Sequence, residues 1–186
     1  MPIPSRAVRP AARRAIAVMV TALFVLGGTE GQSSQAGEKP AQVRIWPCRL
    51  VLSPTLLGVI EEGWKRSPTL RQQCEDLGAA RAVIVLAWGK ADSQSRATTQ
   101  IQRDSGGVVA ARVTIPPVYN ALELVAHELE HVLETVRGMD HEAESRRERS
   151  GVWRAFGGFE TVGAIESGRR VWREANSAPE RLVGSR

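Results

Sequence analysis

The decapeptide "VAHELEHVLE", Val125 to Glu134, holds two of the chain's three histidines, His127 and His131, four residues apart with Glu128 just after the first. On a helical wheel from Tyr119 to Arg137, Leu122, Val125, Leu129, Val132, Leu133 and Val136 gather on one side. At about 100° per residue that stripe is the face of a helix that packs on a core. His127, His131, Leu124 and Glu128 take the opposite side, while Glu130, Glu134 and Arg137 fall between and are expected to face water. Imidazoles at i and i+4 stack about 5–6 Å apart, near enough to bite one Zn²⁺. Glu128 is adjacent but rotated, so its expected role is that of a general base acting on water at the metal's open position. The alternative is a surface helix with two charged histidines and no metal.

Outward from this helix, the preceding half reads as a small sheet with short helices. "VRIW", Val43 to Trp46, alternates as a strand and is stopped by Pro47. Ser53-Pro54 and Ser67-Pro68 each carry a cap followed by proline in the first turn, predicting helices to Gly63 and to Gly78. "RAVIVLAWG", Arg81 to Gly89, is a continuous β-rich run expected to be a central strand buried on both faces. "ATTQIQRD" and "GVVAARVTIPP" read as two strands around a turn at Asp104 to Gly107. After the histidine helix, which Gly138 stops, a looser polar segment leads to a last helix near Phe159 to Ala175. The fold class expected is α+β: a small mixed sheet packed against the histidine helix, followed by a C-terminal helix.

The 186 residues suffice for one domain with a core and hardly for two. A formal charge of +5 raises nucleic acid as a partner, but four arginines and one glutamate lie in the first 36 residues. Without them the net charge is +2, and the later arginines alternate with glutamates as a solvated face does. No nucleic-acid partner is expected. Residues 1–36 read as a signal peptide: basic "ARRA", the apolar run Ala15 to Gly28, and "SQAG" as a cleavage site after Ala36. An uncleaved membrane anchor is the alternative. Residues 37–186 then form a single exported domain, secreted or periplasmic, with no membrane role beyond the export signal. Cys48 and Cys74, the only cysteines, form a disulfide in an exported chain, with two buried thiols as the alternative.

"HELEH", residues 127–131, matches the H-E-x-x-H motif at all three fixed positions, and in this respect the chain resembles the zincin metallopeptidases. The resemblance implies a zinc-dependent hydrolase, a small metallopeptidase of minimal single-domain form. A peptide or protein would be its substrate, Glu128 its catalytic base, and His127 and His131 two of its metal ligands. The metzincin branch requires a glycine and a histidine where this chain has Glu134 and Arg137, so the resemblance is to the gluzincin branch. That branch takes its third ligand from a glutamate on a later helix.

Asp140, His141, Glu142, Glu144, Glu160 and Glu166 are the candidates. His141 and its neighbours follow Gly138 too closely without a sharp fold-back, Glu144 sits in a charged stretch, and Glu166 lies beside arginines. Glu160 is expected to open the last helix on a face of small residues, Gly163, Ala164 and Ser167, and is the ligand selected. The aspartate that often supports a motif histidine in gluzincins is replaced here by Ala164, so another carboxylate must orient it. The resemblance also implies that an edge strand lines the substrate cleft, and Gly107 to Ile115 is the strand expected there. Tyr119 is a candidate oxyanion donor or an interfacial tyrosine. Trp153, Phe156 and Phe159 wall a pocket or fill the core between the last two helices. A non-catalytic, zinc-stabilised protein of the cell envelope is the alternative to an enzyme.

Overall fold

The computed structural model describes residues 42–45, 47–90, 97–155 and 157–177. The expected signal peptide, Trp46 and Phe156 lie outside the described residues. Among those described, the order is β1 (Gln42–Ile45), β2 (Arg49–Leu52), α1 (Pro54–Arg66), α2 (Pro68–Ala79), β3 (Val83–Trp88), β4 (Thr98–Arg103), β5 (Val109–Ile115), α3 (Ala121–Val136), α4 (His141–Glu144), β6 (Val152–Ala155), β7 (Gly158–Thr161) and α5 (Val162–Asn176). The fold is α+β, with a small mixed sheet and five helices. None of these helices is long and apolar enough to cross a membrane.

The five-stranded sheet runs β1-β2-β3-β5-β4. The β2, β3 and β5 strands are parallel, and β1 and β4 pair antiparallel at the two edges. Because side chains alternate across a strand, register builds two apolar rows on one face. Leu50, Ile84, Ala111 and Ile101 form one row; Leu52, Leu86, Val113 and Thr99 form the other. The apolar members of these rows are buried, apart from half-buried Ile101. The opposite face, with Val83, Val85 and Thr114, is only half-buried, so β3 is not covered on both faces as its unbroken apolar run suggests. The β5 strand is also not an edge: it lies between β3 and β4, leaving β4 outermost beside the histidine helix.

Helices cover the buried face. Ser53 and Ser67 cap α1 and α2 by accepting from the amides of Leu56 and Leu70. Gly78 lies inside the last turn of α2 and does not end it. A Cβ there would come 1.7 Å from the Pro47 carbonyl oxygen, so glycine is demanded by the close approach of the chain ahead of β2. The adjoining Cys48 and Cys74, both buried, are joined as a disulfide that ties this segment to α2.

The α3 helix lays Val125, Leu129, Val132 and Leu133 into the core, and α5 packs on α3 through Ala164, Ser167, Gly168 and Val171. A Cβ on Gly168 would meet the Glu123 carbonyl oxygen at 2.8 Å and the His127 Cβ at 3.2 Å. Close packing at that point seats the second helix beside the first histidine. The segment ahead of α5 is a two-stranded hairpin, β6–β7, whose register pairs Trp153 with Glu160. Glu160 is therefore a strand residue and does not open the helix. Thr161 is the N-cap of α5 and accepts from the Ala164 amide.

Candidate metal centre

Two elements build the site. The α3 helix presents His127 and His131 one turn apart, with ring centroids 4.9 Å from each other. The β7 strand brings in Glu160, whose Oε1 lies 3.3 Å from His127 Nε2 and 3.4 Å from His131 Nε2. The three donor atoms all fall within 4.8 Å of one another. With zinc–ligand bonds of about 2.0–2.1 Å, two ligands at the tetrahedral angle stand about 3.3–3.4 Å apart. The carboxylate–imidazole spacings therefore fit one small tetrahedral cation.

The electrostatics agree with a cation at this point. Burial alone would keep His131 neutral and would push the Glu160 carboxyl up. The hydrogen bonds from His131 to Glu134 and Glu160, with the nearby charge of Glu128, outweigh burial and raise the His131 pKa from 6.5 to about 9. Contacts with His127 and His131 likewise overcome burial at Glu160 and hold its carboxyl well below the usual range. Without metal, a proton on His131 takes the place of the positive charge.

The carboxylate that orients His131 is Glu134. Its Oε2 lies 3.0 Å from His131 Nδ1 and 3.0 Å from His141 Nε2, while Oε1 accepts from the Thr161 hydroxyl at 2.6 Å. Glu134 is 5% exposed, so it does not face water as its place on the wheel suggests. Burial opposes its charge, but the bonds from His131, Thr161 and His141 keep its pKa below the ordinary carboxylate value. A histidine whose far nitrogen donates to a carboxylate has its tautomer and ring angle set for metal binding. One signal of this role was present in sequence, the i,i+3 spacing from His131. Nothing in sequence marked Thr161 as the anchor from the other side.

Glu128 is buried, lines the same cleft as the three donors, and accepts a hydrogen bond from the Thr99 hydroxyl on β4. That cleft, about 700 Å³, is bounded by β4, α3, the β6–β7 hairpin and α5. The strand along it is β4, where sequence reasoning expected Gly107 to Ile115. Order in sequence does not show which of two hairpin strands takes the outer position.

The other candidate ligands are engaged elsewhere. Asp140 caps α4, Glu142 pairs with Arg146 and Arg154, and Glu144 pairs with Arg147. Glu166 lines a different cavity, on the side of α3 facing α2. His141 meets Glu134 and stacks on Phe159, their centroids 6.1 Å apart, and Arg154 covers the other ring. Phe159 thus walls the cleft and does not fill a core between helices, while Trp153 is largely exposed. Tyr119, 89% exposed, is not among the residues lining the cleft, which removes it as an oxyanion donor. Compared with protein-family models, with curated proteins and with solved structures, the chain finds no match.

Proposed function

We propose that the protein is a zinc-dependent hydrolase, a small exported metallopeptidase of zincin type with His127, His131 and Glu160 as metal ligands. One observation carries this reading: two imidazole nitrogens each stand at tetrahedral ligand spacing from one carboxylate oxygen, in a cleft that Glu128 also lines. Zinc, when bound, supplies a Lewis acid that polarises a carbonyl and makes water acidic near neutral pH.

The chain's own groups supply the rest. Glu128 takes a proton from the attacking water and passes it to the leaving amine. Thr99 holds the Glu128 carboxylate toward the cleft, and Glu134 holds the His131 ring in the metal-binding tautomer. An extended substrate lies along edge strand β4 and adds a strand to the sheet. A buried disulfide supports export, because such bonds persist in oxidising compartments.

The Thr99–Glu128 hydrogen bond also ties α3 to β4, which favours a second reading, a zinc-stabilised binding protein without catalysis. Metal content by mass spectrometry, together with peptide hydrolysis, separates the two. The enzyme reading expects about one zinc per chain, lost in His131→Ala and Glu160→Ala, and a Glu128→Gln variant that keeps zinc but not hydrolysis. Zinc without hydrolysis in the wild type leaves the binding protein. Absence of zinc from the wild type, even when zinc is supplied, refutes both.

A further inference from the structure

The cleft is lined by Glu123, Glu128 and Glu160 and by three histidines, and among its described lining residues Arg169 is the one lysine or arginine. Two arginines near the hairpin and β4 are engaged: Arg154 pairs with Glu142, and Arg103 donates to the Thr135 carbonyl. Arg169 is exposed and has no side-chain hydrogen bond or ion pair with a described residue. Glu123, also on the cleft wall, bonds the Asn120 side-chain amide instead. One turn further along α5, exposed Arg173 likewise has no side-chain partner among the described residues. Like charges at i,i+4 repel on a helix by a few tenths of a kcal/mol, and only Arg173 lies in the last turn of α5, where the helix dipole favours a cation. A guanidinium with no partner among the described residues, at a cleft wall, is a fork for carboxylate, which it can hold with two parallel hydrogen bonds.

From this arrangement, and resting on the hydrolase reading above, we infer that Arg169 selects substrates carrying a carboxylate at a fixed distance from the scissile bond. The distance follows from the helix. Thr161, next to Glu160, precedes Arg169 by eight residues, about 12 Å at 1.5 Å per residue. An extended peptide rises about 3.3 Å per residue, and the arginine side chain takes up part of the gap. The carboxylate sits two to four residues from the bond that is cut. An acidic side chain and the free carboxyl terminus of a short peptide share this chemistry.

The test is cleavage of a peptide set by the zinc-loaded protein. One glutamate, or glutamine as its control, is moved through every position of amidated peptides, and the glutamine peptides are repeated with free carboxyl termini. The expected result is a kcat/KM about tenfold higher for a carboxylate at one position, which corresponds to one good charge-assisted contact. That ratio falls to near one in Arg169→Ala and reverses in Arg169→Glu, which repels the glutamate peptide. The amidated and free-terminus series tell which source of carboxylate is read. Cleavage without positional preference, or a preference retained in Arg169→Ala, overturns this inference and leaves the hydrolase reading intact. If zinc is bound and no peptide is cut, the hydrolase reading fails and this inference fails with it.

Discussion

Removing Glu134 tests the account of the metal centre most directly, because this side chain touches no proposed substrate and acts only through others. In Glu134→Ala, the Nδ1 of His131, the Nε2 of His141 and the Thr161 hydroxyl lose their shared acceptor. Thr161 is 2% exposed, and the side chains of His131 and His141 are 11% and 16% exposed. A buried donor left without a partner costs about 1–3 kcal/mol. Two such groups, with His141 turning to water, amount to about 2–6 kcal/mol, a span that includes the range found for breaking buried charged pairs. For a domain of this size that lowers Tm by about 10 °C. The zinc-bound state loses the group that orients His131, so its affinity falls about 10- to 100-fold.

Glu134→Gln keeps the shape and one acceptor and should fall between wild type and alanine. Thermal unfolding with chelator present measures the first effect, and a competitive zinc titration the second. A Glu134→Ala protein that binds zinc within threefold of wild type would refute the orienting role, whatever its stability.

Metal binding should be linked to protons. With its pKa near 9, metal-free His131 is protonated at pH 7.5 and must be neutral to bind metal. His131 should add about one proton per zinc to that released by metal-bound water, read by calorimetry in two buffers of different ionisation enthalpy, and its share should vanish well above pH 9. In the metal-free protein the raised pKa stabilises the fold fully below about pH 6.5, and that share is lost as pH rises through about 9. The lowered carboxyls of Glu134 and Glu160 act oppositely, stabilising above their unfolded value and failing on acidification. Gly168→Ala forces α5 away from Glu123 and His127 and should cost about 1–3 kcal/mol in urea unfolding. Gly58→Ala, in α1 with nothing within 4 Å of the added carbon, should stabilise by about 0.5–1 kcal/mol. Equal effects at the two glycines would refute the close-approach argument. Reducing the Cys48–Cys74 bond, which joins residues 26 apart, should lower unfolding free energy by about 3.5 kcal/mol, read from denaturation with and without reductant.

The side-by-side placement of the two histidines was legible in a short stretch because it depends on helical period alone. His127 and His131 share a face at i,i+4 wherever the helix packs, and the apolar residues at Val125, Leu129, Val132 and Leu133 declare which side is buried. Caps at Ser53 and Ser67 marked helix starts for the same local reason. Glu160 could be selected but not placed. In sequence Gly151 to Gly158 reads as a lead-in and Phe159 to Thr161 as the start of the last helix, and only tertiary packing makes this stretch a hairpin whose strand delivers the carboxylate.

Glu134 shows the limit most clearly. A wheel puts it between the apolar and polar sides, where a glutamate ordinarily faces water. Burial of that carboxylate depends on Thr161, 27 residues on, and His141, beyond the end of the helix, adding two donors to that of His131 and so offsetting its desolvation. The outer position of β4 has the same origin, since strand order is set by which pairings bury Leu86 and Val113 together. Local period and capping act within a few residues and can be read in sequence. The surroundings of a buried charge, and the edge of a sheet, are sums over contacts far apart in the chain, and they exist only once it has folded.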